Sequence, residues 1–294
     1  MNKLTKAKLS FLSAILIYGT LGVFVRYAAL PSSLVALARS SIGTLFLLLL
    51  MALRRQKLDF AAIRRNWKPL LIAGVLLGFN WVTLFEAYRY TTVAVATLCT
   101  YMNPVIIVIG AAVLMRERLS ARKLCCIAAA LVGMVFVSGV AGSGLPQSGE
   151  AMGILLGLLT AVLYASIVLS NKMLRDISAY DRTVVQLFIT TLVLLPYCLL
   201  TEDLGALTFS GNQILLLLVL GVVHTGFAYS LYFGSMETLP AQTLAILSYL
   251  DPVTAVLLSA LVLHEPLHSY EIIGAVCILG ASIVSELPER VRQM

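Results

Sequence analysis

The sequence TYMNPV at residues 100–105 recurs as SYLDPV at residues 248–253, an offset of 148 residues. The same offset aligns the longer stretches Gly78–Leu119 and Gly226–Leu267, in which ten of the 42 aligned positions are identical. Each copy predicts a helix long enough to cross a bilayer, interrupted near its middle by a polar residue and a proline. Two interrupted spans in corresponding halves of a chain indicate a transporter with a central binding site.

The composition predicts an all-α integral membrane protein that contacts lipid along most of its length. The 294 residues are 60% hydrophobic and 12% charged, with a mean hydropathy of +0.96. Soluble domains are about 45–50% apolar and about 25% charged. The net charge of +7 does not indicate a nucleic-acid partner, because the basic residues lie in short loops between apolar spans.

Ten apolar segments are long enough to be transmembrane helices. The linker Val140–Glu150 carries Gly, Ser, Pro and Gln and no basic residue, and it divides the chain into repeats of five spans at 1–141 and 142–294. The predicted spans are 9–29, 34–53, 69–88, 92–114, 122–140, 151–171, 182–201, 212–234, 239–263 and 270–286.

The distribution of lysine and arginine predicts the orientation of these spans. With the N-terminus in the cytoplasm, 18 of the 21 basic residues fall in cytoplasmic segments, as the positive-inside rule requires. Both termini are then cytoplasmic in a multi-pass protein of the cell membrane, either a plasma membrane or a bacterial inner membrane. Because five is odd, the second repeat enters the membrane from the opposite side. The expected fold is therefore ten transmembrane helices as two inverted five-helix repeats.

Asn103 and Asp251 occupy matched positions close to the predicted bilayer midplane. Each precedes a proline, and Pro104 and Pro252 each leave a backbone carbonyl one turn earlier without its helical donor. An ionisable group at this depth costs at least about 2.5–3.5 kcal/mol and therefore indicates function. Two roles fit both polar residues: contact with substrate or proton, and repair of the kinked backbone or bridging between helices.

Further polar and aromatic residues at similar depth are candidates to line a central cavity, although packing inside the bundle also explains each of them. His224 in addition suits proton coupling, since an unperturbed imidazole titrates near pH 6.5. The candidates are Tyr18, Phe79, Asn80, Trp81, Thr83, Tyr101, Tyr164, His224, Phe227, Tyr229 and Tyr249.

Arg39 lies about five residues inside the second span and needs a partner there. Glu86, near the end of the third span, is the candidate for a structural ion pair. Capture of a substrate carboxylate is the alternative role for this arginine.

Residues 264–268 read HEPLH, which matches the H-E-x-x-H signature of zinc metalloproteases. Pro266 interrupts the helix that this motif needs, and Glu117 occupies the position of Glu265 in the first repeat without histidines beside it. We therefore expect no metal and no enzymatic activity. The glutamate is expected to satisfy amide groups at the start of the following helix, where negative charge is favoured. The five cysteines lie in apolar spans and include no Cys-x-x-Cys pair.

The ten spans, with Pro104 and Glu117-x-Leu119 repeated as Pro252 and Glu265-x-Leu267, resemble the EamA-type members of the drug/metabolite transporter superfamily. The resemblance implies alternating access around a central cavity. Members of this superfamily carry amino acids, other metabolites, nucleotide sugars and drugs. The resemblance also implies that the cavity is lined by Tyr18, Phe79, Asn80, Thr83, Tyr101, Tyr164, His224 and Tyr249.

The expected function is secondary transport, with export, of a small polar metabolite such as an amino acid or a related compound. No G-x-x-x-x-G-K-[ST] motif is present, so we expect no cofactor and an ion gradient or exchange as the energy source, with the proton as the candidate coupling ion. Two alternatives are a membrane metalloprotease using His264, Glu265 and His268, and a non-transporting scaffold or lipid-handling protein.

Overall fold

The computed structural model describes residues 3–114, 121–137, 148–203, 205, 209–236, 238–239 and 241–287. Every regular element in these ranges is a helix, which confirms the all-α class for the described chain. The helices are α1 (Lys3–Gly19), α2 (Leu21–Ala28), α3 (Ser32–Leu53), α4 (Phe60–Arg65), α5 (Trp67–Tyr90), α6 (Val93–Thr100), α7 (Asn103–Leu114), α8 (Ala121–Val137), α9 (Ser148–Lys172), α10 (Ala179–Thr201), α11 (Gly211–Gly221), a π-helical segment (Val222–Phe227), α12 (Ala228–Met236), α13 (Ala241–Ser248), α14 (Leu250–Leu261) and α15 (Ser269–Glu286).

Seven helical stretches in the described ranges are long and apolar enough to cross a membrane. Two shorter apolar helices follow at Leu250–Leu261 and Ser269–Val284. The predicted fifth span continues beyond Val137, where the described range ends. Most of the predicted linker also lies outside the described ranges. The chain is therefore a multi-pass membrane protein, and the count of ten spans stays a prediction. The seven stretches are Leu4–Ala28, Ser32–Leu53, Trp67–Tyr90, Val93–Gly110, Ser148–Lys172, Ala179–Thr201 and Gly211–Ser235.

The interruption predicted in each repeated stretch is confirmed. In the first copy α6 ends at Thr100 and α7 begins at Asn103, and in the second a single residue, Tyr249, separates α13 from α14. Pro104 has no N–H to donate to the carbonyl of Thr100. The side-chain Nδ2 of Asn103 donates to that carbonyl instead, at 2.9 Å. The polar residue beside the first proline thus repairs the backbone that the proline disrupts.

Two glycines let α1 and α3 come close to the second half of the chain. A Cβ on Gly19 would lie 2.5 Å from Cβ of Thr254 in α14, and a Cβ on Gly43 would lie 2.4 Å from Cγ2 of Thr225 in the π-helical segment. Small residues at helix contacts are the usual means of close packing in lipid, where burial of apolar surface contributes little between helices. Gly19 therefore places the end of α1 beside Asp251, and Gly43 places Arg39 beside Thr225.

Polar contacts join α5 to its neighbours on two sides. Asn80 Nδ2 donates to the carbonyl of Thr160 in α9 at 2.8 Å, and Thr190 Oγ1 of α10 donates to the carbonyl of Gly74 at 2.7 Å. Such contacts satisfy polar groups that lipid cannot. Helix α5 is thereby held in a fixed position, and it carries Trp81 and Phe85 toward α3.

The bundle has two ends, which we name after an arginine at each. At the Arg26 end, Arg26 of α2 meets Glu265, which follows α14, and Gln213 at the start of α11 donates to the carbonyl of Ala28 at 3.2 Å. At the Arg65 end, Arg65 of α4 pairs with Asp176 at 3.1 Å. The two ends correspond to the two ends of α5.

Candidate functional site

The two helix breaks bring Tyr101, Tyr249 and Asp251 together. The rings of Tyr101 and Tyr249 have centroids 6.3 Å apart, and Tyr101 Oη donates to Asp251 Oδ2 at 3.0 Å. In a regular helix, residues two apart point about 200° apart around the axis. The break at Tyr249 is therefore what allows both that tyrosine and Asp251 to face Tyr101. Asp251 of the second repeat thus accepts a hydrogen bond from Tyr101, which lies in the helix break of the first repeat.

Arg39 of α3 is buried, with 3% of its surface exposed. Its guanidinium carbon lies 4.2 Å from the centroid of the Trp81 ring, and its Nε donates to Thr225 Oγ1 at 2.9 Å. It also interacts electrostatically with Tyr229 and Tyr18 and, more weakly, with Asp251. The sequence placed this arginine near one end of a span, but in the structure it lies among the central residues. We call Arg39, Tyr101, Tyr249 and Asp251 the central group of residues around Asp251.

The structural ion pair predicted between Arg39 and Glu86 does not form. Glu86 accepts a hydrogen bond from Ser32 Oγ at 2.7 Å and pairs with Arg89 at 3.3 Å. Arg89 lies one turn further along α5, so this pair forms within the helix, near its end. Within the described ranges no carboxylate lies within 4.0 Å of the Arg39 guanidinium nitrogens. Of the two predicted roles of Arg39, the ion pair with Glu86 is wrong, and capture of a substrate carboxylate stays a prediction.

His224 lies in the π-helical segment and is buried, with 1% of its surface exposed. Its Nε2 lies 2.9 Å from Thr20 Oγ1, its Nδ1 lies 3.4 Å from the carbonyl of Val219, and its ring packs against Phe24 at 4.8 Å. Both ring nitrogens are thus occupied by the protein. His224 thus joins the break between α1 and α2 to the π-helical segment, and its role as a cavity-lining or proton-coupling residue stays a prediction.

A wall of aromatic side chains runs from the central group toward the Arg65 end. Tyr18 of α1 packs against Tyr229 at 5.8 Å and Tyr232 at 6.2 Å, and Tyr232 packs against Phe11 at 5.1 Å. Tyr164 of α9 is 42% exposed, yet it interacts electrostatically with Tyr232, Tyr229 and Asp251.

Four predicted lining residues contact other helices or their own backbone. Asn80 and Thr83 face α9, where Thr83 Oγ1 lies 2.9 Å from Thr160 Oγ1. Phe79 packs against Tyr197 of α10 with ring centroids 5.7 Å apart, and Asn103 bonds to Thr100 as described above. Between Phe79 and Thr83 on α5, the residue that contacts Arg39 is Trp81. A separate candidate, Phe227, is 45% exposed.

The HEPLH sequence lies between α14 and α15 and is not helical. His264 and His268 are exposed and do not share a helix face, so the arrangement of a zinc protease is not formed. The expected contact of Glu265 with a helix start is confirmed, but the helix is α6 and not the following α15: Oε2 accepts from the backbone N–H of Val93 at 2.8 Å. Helix α15 is capped by Glu271, whose Oε2 accepts from the N–H of His268 at 2.9 Å. Glu117 lies outside the described residues.

Sequence reasoning missed Thr225, Tyr232 and the pairing of Arg26 with Glu265. Thr225 holds Arg39, and Tyr232 joins Tyr18 to Phe11. Tyr232 follows Tyr229 by three residues, and side chains three apart share a helix face, so this spacing was a signal that could have found it. No sequence feature indicated the π-helical segment that presents Thr225.

Comparisons with known proteins agree with this architecture. The model of the EamA-like transporter family matches residues 5–139 and 151–286. The chain is 28% identical over 276 residues to the uncharacterized transporter YxxF of Bacillus subtilis (strain 168), across 93% of this chain and 87% of that protein. It is 26% identical over 220 residues to protein PecM of Dickeya dadantii (strain 3937), across 74% of this chain and 73% of that protein. A protein crystal structure matches with a TM-score of 0.66 at 22% identity over 96% of each chain, which supports the fold.

Proposed function

Because the chain belongs to the EamA-like transporter family, we propose that it is a secondary transporter that exports a small polar metabolite, an amino acid or a related compound. The substrate would bind at the central group of residues around Asp251. Alternating access would expose this group to one side of the membrane and then to the other.

One observation carries the proposal: the two broken helices meet at their breaks. Tyr101 and Tyr249 face each other there, and Tyr101 binds Asp251. Irregular backbone and an ionisable side chain within membrane-spanning helices are tolerated where protein or a water-filled cavity satisfies them. A scaffold or lipid-handling protein has no need of an acid at this position, so the arrangement favours a carrier.

The helix directions at the Arg26 end support two inverted repeats at 1–141 and 142–294. Helix α5 ends and α6 begins at this end, whereas α11 begins and α14 ends there. In the repeat alignment, α11, the π-helical segment and α12 together correspond to α5, and α14 corresponds to α7. Opposite directions for corresponding elements are the property of inverted repeats. Together with the charge distribution, this supports cytoplasmic termini in an inner-membrane carrier.

Asp251 is the group to which we assign proton coupling. It is ionisable, and it lies at a junction that any relative movement of the two halves would alter. Protonation at such a residue would link the proton gradient to the exposure of the site.

Transport by purified protein in proteoliposomes tests the function directly. Vesicles loaded with single amino acids and related polar metabolites should release at least one of them faster than protein-free vesicles do. An Asp251→Asn variant should alter that transport, whereas Asp203→Asn, at an exposed position, should not. Absence of protein-dependent flux for the whole panel, in either direction, would refute the proposed substrate class.

A further inference from the structure

We propose that Arg39 and Tyr18 form a binding site for the carboxylate group of the transported molecule, an inference that rests on the function proposed above. Arg39 lies on α3 and Tyr18 on α1, so the site joins two separate helices of the first repeat. Both side chains carry hydrogen-bond donors that have no acceptor among the described residues.

The guanidinium of Arg39 has donors to spare. An arginine side chain carries five N–H groups in a planar fork. Within the part of the chain that the structure describes, Nε is the nitrogen of Arg39 that makes a hydrogen bond, to Thr225 Oγ1 at 2.9 Å. The two terminal nitrogens make none there. A buried cation without an anionic partner is costly, and a substrate carboxylate would supply the missing partner.

The phenol of Tyr18 is a second donor without an acceptor. Its Oη is buried and has no hydrogen-bond partner among the described residues. The ring of Tyr18 packs against Tyr229 at 5.8 Å, and Tyr229 follows by four residues, about one helical turn, the Thr225 that binds Arg39. A buried hydroxyl normally finds a partner, because an unpaired one has lost its hydrogen bonds to water without replacement. Two unsatisfied donors in one neighbourhood, one of them charged, are what a bound anion oxygen requires.

The surroundings hold Arg39 ready for such a ligand. The Trp81 ring stacks with the guanidinium at 4.2 Å, and Thr225 fixes Nε. The contact with the ring uses no N–H group, so the terminal nitrogens keep their donors for a ligand. Those donors match a carboxylate in a bidentate arrangement. Gly43 allows the close contact between α3 and the π-helical segment on which this geometry depends.

The charges favour a carboxylate over a phosphate. Arg39 supplies one positive charge, and Asp251 lies within its electrostatic range. A phosphate dianion would bring more negative charge than this single cation offsets, and Asp251 would repel it about twice as strongly as it repels a monoanionic carboxylate. A monoanionic carboxylate balances Arg39, and the aromatic rings of Trp81 and Tyr229 provide an apolar surface for the rest of the molecule.

Small matched probes test the site without knowledge of the physiological substrate. Purified full-length protein in detergent would be heated with propionate or its neutral isostere propionamide, and with L-alanine or L-alaninamide, at constant ionic strength and pH. We expect each carboxylate to raise the unfolding temperature in a saturable manner and each amide to do so at least 10-fold more weakly. Loss of a charge-assisted hydrogen bond corresponds to roughly 10- to 100-fold in affinity.

Three variants assign the effect to the two residues. Arg39→Gln should remove the preference for carboxylate over amide, and Tyr18→Phe should weaken carboxylate binding by roughly 5- to 10-fold. Arg39→Lys keeps the charge but loses the bidentate fork, so it should give an intermediate affinity; it also serves if Arg39→Gln does not fold. Arg65→Gln, which removes an arginine from the exposed pair with Asp176, is the control and should bind like the wild type.

The outcomes separate this inference from the proposed function. Carboxylate binding that Arg39→Gln abolishes, without transport of any panel compound, would support the site and refute the transport proposal. Transport that persists in the Arg39 variants with an unchanged preference for free carboxylate over amide would refute the site and leave the transporter. A wild type that no carboxylate stabilises, or variants that bind as the wild type does, would also overturn the assignment to Arg39 and Tyr18.

Discussion

Arg26 and Glu265 form an ion pair between helix ends that are 239 residues apart in the sequence, with 2.5 Å between Nη2 and Oε1. The other carboxylate oxygen accepts from the N–H of Val93, the first residue of α6, and from Ser259 Oγ. Arg26 also donates to the carbonyl of Tyr88 at the end of α5. The Glu265 carboxylate therefore binds the start of α6 directly, and through Arg26 it is joined to α2 and to the end of α5.

This network should contribute measurably to stability. Replacing Glu265 by Gln removes the ion pair and the charge at the start of α6, so we expect the free energy of unfolding to fall by about 1–2 kcal/mol. The thermal midpoint in detergent should drop by at least about 2 °C. The matched control is Asp176→Asn at the Arg65 end, where both partners are more than half exposed and the effect should be small. Equal effects of the two substitutions would contradict the special role of Glu265.

Asp251 should determine the pH dependence of transport. In proteoliposomes, an imposed pH gradient should change the wild-type rate, and Asp251→Asn should remove that response because the amide cannot take up a proton. The measurement is the initial flux at several imposed pH gradients, each applied in both directions across the membrane. A variant that responds to the gradient as the wild type does would exclude Asp251 as the coupling group.

Asn103 should contribute to folding through Thr100. Asn103→Ala leaves the carbonyl of Thr100 without its donor and should lower stability by about 1 kcal/mol. In a Pro104→Ala background the backbone N–H returns, so the same substitution should cost less, which a double-mutant cycle would detect. Equal costs in both backgrounds, accompanied by a loss of substrate affinity, would instead indicate contact with the substrate.

Gly43 should be intolerant of a side chain. A Cβ there would lie 2.4 Å from Cγ2 of Thr225, so Gly43→Ala should push α3 away from the π-helical segment and disturb the bond between Arg39 and Thr225. We expect lower thermal stability together with weaker binding of propionate. Gly234→Ala in α12 is the control, because nothing lies within 4 Å of a Cβ at that position. The control should be neutral or slightly stabilising.

The helix breaks could be predicted because their cause is local and occurs twice: a proline removes one donor at matched positions in the two repeats. The direction in which a polar residue faces is not local. Asn80 and Trp81 are neighbours on α5, yet Asn80 bonds to α9 while Trp81 stacks with Arg39. In a membrane bundle, apolar residues suit both lipid and helix contacts, so hydrophobic periodicity does not separate a cavity face from a packing face.

The partner of Arg39 was also beyond local reasoning. Glu86 was a suitable acid in the next span, but α5 turns it toward Ser32 and Arg89, and the contact of Arg39 with Thr225 depends on a π-helical segment. A π-helical turn places an additional residue in the helix without a fixed sequence pattern. The role of Glu265 had a correct physical basis, since it does satisfy a helix start, but only the tertiary arrangement selects α6.

The π-helical segment has a consequence for the energetics of a transport cycle. Its counterpart in the first repeat lies within α5, which is a continuous α-helix. If the two halves were interchangeable, the conformations facing opposite sides of the membrane would be equal in free energy. An irregularity whose counterpart in α5 is regular removes that equality, so an empty carrier of this build would rest preferentially facing one compartment.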